Sequence, residues 1–104
     1  MIDQNRIYGS IFEVEMNAKF EIGKLLITPG ALQKIAPEKV QETIGRHVSG
    51  DWGEVCEDDS ALNDWAMKNH ERILSAYRSN EGDRFWVITE ADRSVTTILL
   101  PSEY

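Results

Sequence analysis

Two side chains of this sequence could perform acid–base chemistry on a phosphate group, His47 and Arg93. The imidazole of His47 titrates near neutral pH and can take up or release a proton. The guanidinium of Arg93 can hold a phosphate or a carboxylate through two parallel hydrogen bonds. Hydroxyl groups that could donate to the same anion follow Arg93 directly. A small, metal-independent ribonuclease could therefore use a catalytic set made of His47, Arg93, Ser94 and Thr97.

Each of these residues also has a structural interpretation. His47 stands at the end of a predicted helix, where a cationic imidazole complements the negative C-terminal end. Arg93 lies in a predicted turn and could pair with the carboxylate of Glu90 or Asp92. In such a turn Asp92 and Ser94 would bond their own backbone. The order of elements is similar in layout to RelE-like and barnase-like ribonucleases, but layout alone does not establish function.

The densest charge feature lies between Arg46 and Lys68, a stretch with six carboxylates and no Lys or Arg. These acids could bind a basic surface of a partner protein, and an exposed Trp52 would add an aromatic contact. Alternatively, they could stabilise the start of a helix or keep the domain soluble. The candidate partner-binding residues are Asp51, Trp52, Glu54, Asp58, Asp59 and Asp64.

Metal and cofactor sites have little support in the sequence. The acids near His47 could offer oxygen ligands to Mg²⁺ or Ca²⁺, but their spacing does not match a calcium-binding loop. There is no Cys or His pair with zinc-ligand spacing, no Gly-rich phosphate loop and no Gly-x-Ser-x-Gly motif. We therefore expect neither a metal nor an organic cofactor.

The composition limits the partners and the compartment. The chain has 104 residues, of which 41% are hydrophobic, and this suits one domain over residues 1–104. Its formal net charge of −7 argues against direct binding to duplex DNA. The single Cys56 excludes an intramolecular disulfide, and neither a signal peptide nor a membrane span is recognisable. We expect a cytoplasmic protein that is not inserted in a membrane, and the sequence leaves its oligomeric state open.

The first part of the chain has the patterns of two strands. Residues 11–16 alternate apolar and polar side chains, as in a half-buried strand. Residues 20–28 form a second β-rich run that ends at the turn-forming pair Pro29-Gly30. The two strands could pair as a hairpin.

Helical patterns follow. Apolar residues recur at three- to five-residue steps and predict a helical turn and then a helix over residues 37–48. Pro37 suits its first position, and Gly50 supplies a left-handed stop. A further helix begins near Asp58, and its predicted inner stripe comprises Ala61, Leu62, Trp65, Ala66 and Asn69.

The last third of the chain predicts a β-meander. Three β-rich runs, at residues 73–79, 84–90 and 95–100, are separated by two short loops rich in turn-forming residues. Short loops join antiparallel neighbours. We therefore predict an α+β fold, in which an antiparallel sheet contains a C-terminal three-stranded meander and two or three helices pack on one face.

The runs LLITPGAL, GRHVSGDWG, ILSAYR and FWVITEADRSVTTILLPSEY resemble a family of small bacterial proteins, often labelled plasmid-related proteins. The resemblance covers roughly residues 23–104. Some members are labelled as a type I restriction system methylation subunit, but a chain of 104 residues has no room for a methyltransferase fold. The resemblance implies a bacterial or mobile-element setting and no particular activity. From the residues themselves we expect a small acidic interaction protein, with a ribonuclease-like enzyme as the alternative.

Overall fold

A computed structural model describes residues 18–104 of the protein. The strand predicted at residues 11–16, and with it the predicted hairpin, lies outside the described residues. The elements follow in the order β1 (Lys24–Ile27), α1 (Pro29–Lys34), α2 (Pro37–Val48), α3 (Glu57–Asn69), β2 (Ile73–Arg78), β3 (Arg84–Thr89), β4 (Val95–Leu99) and a final 3₁₀ turn (Pro101–Glu103).

The described strands form one mixed sheet in the order β1-β4-β3-β2. Strands β2, β3 and β4 make the predicted antiparallel meander, which confirms the α+β class. Strand β1 pairs with β4 in parallel, with Leu26 opposite Thr97, and this pair was not predicted. Its cause is local. Thr28 caps α1, so Pro29 begins a helix where the sequence suggested a turn, and the chain leaves the sheet after β1.

Helix α2 has the predicted bounds. Pro37 occupies its first turn, where a missing backbone N–H costs nothing. After Val48 the chain reverses through Gly50, whose φ of 89° is in the left-handed region, as predicted. Arg46 and His47 lie in the last turn. Among residues 18–104, no helix is both long enough and apolar enough to cross a membrane.

The core lies between the helices and one face of the sheet. Side chains alternate between the two faces of a strand, so Phe85, Val87 and Thr89 of β3 share one face. Residues of α1 and α2 pack on this face. The buried apolar residues of this cluster are Ala31, Ile35, Ile44, Val48, Tyr77, Phe85, Val87 and Ile98.

Helix α3 covers the outer edge of β2. The Asn63 side-chain amide donates to the carbonyl oxygen of Leu74 at 2.8 Å and accepts from the Leu74 amide at 3.3 Å. An edge strand leaves such backbone groups unpaired, and here one side chain supplies both partners. Further along the edge, the amide of Ala76 donates to the Trp52 carbonyl, and the amide of Glu54 donates to the Ala76 carbonyl.

The two bonds of Asn63 fix the rotation of α3, and of the five residues predicted for the inner stripe Ala66 alone is buried. The buried residues of the helix are Asn63 and Ala66. Leu62 and Trp65, which were predicted to face inward, are 59% and 52% exposed. Ala61 and Asn69 are exposed as well. The apolar periodicity predicted an apolar stripe, but the bonds of Asn63 to the backbone of β2 determine which side of the helix faces the core.

Removal of the Asn63 amide should destabilise the fold. We expect Asn63→Ala to lower the free energy of unfolding by about 2 kcal/mol, since it leaves the Leu74 N–H and C=O at the covered edge without partners. Urea unfolding measures this loss. Asn69→Ala is the matched control, because Asn69 is exposed on the same helix and bonds only within it. Equal effects of the two substitutions would contradict the role given to Asn63.

Candidate functional site

His47 lies at the centre of a buried polar cluster. The last turn of α2 directs its imidazole toward the sheet, where no part of the residue is exposed. Its Nδ1 is 2.6 Å from the hydroxyl of Ser75, and its Nε2 is 2.8 Å from the hydroxyl of Thr89. Both ring nitrogens are therefore bonded to hydroxyl groups of the sheet.

The hydroxyl chain beyond Thr89 assigns the tautomer of His47. Thr96 Oγ1 donates to the carbonyl oxygen of Ile22 at 2.8 Å, because a carbonyl can only accept. The Thr89 hydroxyl, 2.7 Å from Thr96 Oγ1, must then donate to it and accept from Nε2 of His47. Nε2 thus carries the proton, and Nδ1 accepts from the hydroxyl of Ser75. The cluster is satisfied by a neutral imidazole.

The surroundings of His47 favour the same neutral state. Burial, and secondarily the positive charge of Arg93, lower the pKa of His47 to about 3. The rings of Phe20 and Trp52 contact the imidazole nearly edge-on, at centroid distances of 5.2 and 5.9 Å. A general base must reach its substrate. This imidazole has no exposed surface, and it holds α2 to the sheet.

The Arg93 side chain is engaged with backbone carbonyls. Residue 93 adopts a left-handed backbone conformation with φ 61°. The guanidinium also lies 5.6 Å from the centroid of the Phe20 ring. It joins the β3–β4 turn to the C-terminal end of α3. Its acceptors are the carbonyl oxygens of Ala66 (3.1 Å), Glu71 (2.7 Å), Glu90 (3.2 Å) and Ala91 (3.3 Å).

The remaining members of the predicted catalytic set lie apart from His47. Thr97 points to the opposite face of the sheet from Thr96, since neighbouring residues of a strand alternate. Ser94 is exposed in the turn, where its amide donates to Asp92 Oδ1 at 3.0 Å. The structure thus brings His47 and Arg93 near each other but places the predicted hydroxyls elsewhere. Ser75 and Thr89 bond the imidazole of His47 instead, and Thr96 bonds Thr89.

Two of the six acids form close ion pairs. Asp51 accepts from Nε and Nη2 of Arg46 at 2.7 and 3.2 Å, and this bond lowers the pKa of its carboxyl. Glu54 accepts from Nε of Arg78 at 3.0 Å. All four side chains are partly exposed, so each pair contributes at most about 1 kcal/mol to stability. Their charges are largely neutralised locally.

The first turn of α3 carries three exposed acids, Glu57, Asp58 and Asp59. Within the described part of the chain, none of them belongs to an ion pair. Carboxylates stabilise the positive N-terminal end of a helix, as the structural interpretation predicted. The N-cap residue, Cys56, makes no side-chain capping bond to this helix end. The same carboxylates form an open negative surface.

Trp52 is buried, contrary to the prediction that it is exposed. It is 4% exposed, and its indole N–H donates to Asp64 Oδ1 at 2.9 Å. The indole therefore anchors α3 to the body of the protein, and Asp64 serves both as this acceptor and as an exposed acid. Trp65, which follows Asp64 in α3, has the exposed aromatic surface that was predicted for Trp52.

Two groups of residues at these sites were not identified from the sequence. The first comprises Ser75 and Thr89, whose signal is a polar side chain on the inward face of an otherwise apolar strand. The second comprises Leu62 and Trp65, which were predicted to face the core but are exposed on the outer side of α3. Within residues 18–104, no group of three or more His, Cys, Asp or Glu side chains is arranged to hold a metal ion.

Comparisons with known proteins leave the family of this chain open. The chain matches no protein-family model, no curated protein and no solved structure.

Proposed function

We propose that this protein is a non-enzymatic interaction module that binds a basic surface of a partner protein through the acidic residues 51–64. The observation that most directly supports it is the first turn of α3. Glu57, Asp58 and Asp59 are exposed there and are absent from the ion pairs of the described residues. Such carboxylates create a negative potential that attracts a cationic surface.

The individual acids have different parts in this proposal. Asp51 and Glu54 are paired with arginines of the same chain, so they frame the surface and add little to its field. Asp58, Asp59 and Asp64 supply the charge that a partner meets. A nucleic acid is a poor candidate, because a net charge of −7 repels phosphates. The bacterial, mobile-element setting belongs to the same proposal and rests on the resemblance alone.

The enzymatic alternative has weaker support. Acid–base catalysis at His47 would require a buried, doubly bonded imidazole to meet substrate. Anion binding at Arg93 would require its guanidinium to leave the carbonyls at the end of α3. Both groups instead satisfy internal partners, so we do not carry the ribonuclease forward.

Neutralising three acids should slow association with the partner. The partner is first obtained by co-purification with the full chain from its native host. We expect the triple variant Asp58→Asn, Asp59→Asn, Asp64→Asn to associate about tenfold more slowly at low salt, with the deficit shrinking as salt rises. Asn keeps an acceptor for the indole N–H of Trp52. Stopped-flow or surface-based kinetics measures both rates.

The matched control removes the same charge elsewhere. Glu21→Gln, Glu38→Gln and Glu81→Gln together change three exposed acids outside residues 51–64. This control should keep the association rate within about twofold. Equal rates for both triple variants would contradict the proposal, and so would the absence of any specific partner.

A further inference from the structure

Helix α3 presents an apolar stripe on the side that faces away from the sheet. Ala61, Leu62 and Trp65 are exposed within about one helical turn of each other, and three- to four-residue spacing places side chains on one face. Leu62 and Trp65 expose 59% and 52% of their surfaces. Asp58 lies one turn before the stripe, on the same side of the helix. The outer face thus joins large apolar side chains to acids at one end.

This stripe is held in place from three directions. Asn63 bonds the edge of β2 on the opposite side of the helix. The indole of Trp52 bonds Asp64 on one flank, and the Arg93 guanidinium bonds the carbonyl of Ala66 near the end. Rotation of α3 to bury the stripe would break all of these bonds. The apolar surface is therefore a fixed feature of the folded protein.

We infer that α3 enters an apolar groove on the partner protein, with Trp65 as the anchor and with Lys or Arg on the groove rim beside Asp58 and Asp59. This inference rests on the proposed function and adds the shape and chemistry of the partner. Helices often bind grooves through side chains at such spacing, and Trp is among the residues that most often dominate binding energy. Lys68 lies at the other end of α3, so the charge along the helix sets its direction in the groove.

A second copy of this chain is a poorer occupant of the surface. It would bring another net charge of −7 toward Glu57, Asp58 and Asp59, which belong to no ion pair among residues 18–104. Like charges repel and weaken such an association. A partner with an apolar floor and a basic rim complements both parts of the surface.

The apolar and acidic residues should affect different rate constants. Truncation of a buried anchor mainly accelerates dissociation, whereas loss of peripheral charge mainly slows association. We expect Trp65→Ala to raise the dissociation rate at least about 30-fold, with association changed less than about threefold. Leu62→Ala should raise the dissociation rate by about fivefold to tenfold. Leu32→Ala, at a leucine that is 65% exposed on α1, is the matched control and should change neither rate.

The location of the contact is tested independently by photo-cross-linking. Benzophenone-phenylalanine is placed at position 65 of the full chain in its host, and at exposed position 41 on α2 as a control. Mass spectrometry should find the partner cross-linked from position 65 and not from 41, at a residue within an apolar groove flanked by Lys or Arg. A cross-link to a flat, polar surface would overturn the inference.

The outcomes separate the inference from the proposed function. The triple Asn variant could associate slowly while Trp65→Ala and Leu62→Ala dissociate like the native protein. That result would support the acidic surface and contradict the insertion of α3 into an apolar groove. If neither set alters binding, both ideas fail. Both apolar side chains are exposed, so their removal should leave the thermal midpoint nearly unchanged, and circular dichroism checks this.

Discussion

Lowering the pH from 7 to 5 is expected to reduce the free energy of unfolding by about 2 kcal/mol, because the folded protein holds His47 neutral. Burial and the nearby Arg93 charge lower the pKa of His47 from 6.5 to about 3. As the pH falls below about 6.5, His47 binds a proton in the unfolded chain but stays neutral in the folded protein. The stabilisation is complete above that pH, declines toward about 3, and levels off once the folded protein also binds the proton.

Urea unfolding at pH 7, 6 and 5 measures this effect as a slope of about 1.4 kcal/mol per pH unit at the acidic end of the range. The range stops at pH 5 because Asp51, Asp92 and Glu103 also have lowered pKa values, and their contributions are lost at more acidic pH. His47→Gln should remove the slope while lowering the overall stability.

A control and a direct observation accompany this measurement. His70→Asn removes an exposed imidazole at a left-handed position that Asn tolerates, and it should keep the slope. In NMR spectra the His47 ring signals of the native protein should stay unchanged from pH 7 to 5. A flat native profile, or a slope that survives in His47→Gln, would show that the imidazole is not the group responsible.

The parts of the fold that were predicted are those that local patterns determine. Strands β2 to β4 have alternating, β-branched sequences between short loops, and short loops dictate antiparallel neighbours. Helix α2 has Pro37 at its start and Gly50 after its end, and each acts through its own backbone conformation. By contrast, the parallel pairing of β1 with β4 joins residues about 70 positions apart, such as Leu26 and Thr97. Nothing near β1 in the sequence specifies that partner.

The candidate site was less predictable because its decisive contacts are distant in sequence. His47 was identified as the residue of interest, but its bonds to Ser75 and Thr89 span 28 and 42 residues. Those hydroxyls occupy both ring nitrogens of the buried imidazole. The exchange of surfaces between Trp52 and Trp65 has a similar origin. The Asn63 amide bonds the backbone of Leu74, and this contact orients α3 so that Trp65 faces outward. Trp52 is buried between α3 and the rest of the protein.

The buried cluster and the proposed binding helix are physically connected. Trp52 contacts the imidazole of His47 with its ring and bonds Asp64 of α3 through its N–H. On the other side, Arg93 influences the pKa of His47 and bonds the end of α3. The position of the outer face of α3 thus depends on residues outside the proposed binding surface. Substitution of Arg93 tests this dependence directly.

Arg93→Asn is expected to lower the free energy of unfolding by about 3 kcal/mol. The substitution removes charge-assisted bonds to the carbonyls of Ala66 and Glu71, and such bonds contribute about 1.5–3 kcal/mol. It also removes a cation from the negative end of α3, for about 0.3–1 kcal/mol more. Asn tolerates the left-handed backbone at this position, so the expected loss of unfolding free energy contains no added backbone strain. Arg93→Lys keeps the charge but loses the planar guanidinium, and it should lower the free energy of unfolding by about half as much.

The specific role of Arg93 is resolved by local measurements. Hydrogen exchange should accelerate most at the amides of the last turn of α3, and the pKa of His47 should rise, because the Arg93 charge is one of the causes that lower it. Arg84→Thr removes the same charge from an exposed position of β3 and should change stability by less than about 0.5 kcal/mol. A comparable loss in both variants, or unchanged exchange at the end of α3 in Arg93→Asn, would mean that the guanidinium does not hold this helix. With the helix end loosened but its acids intact, association with the partner should keep its salt dependence while dissociation accelerates, since the apolar stripe is no longer held in one position.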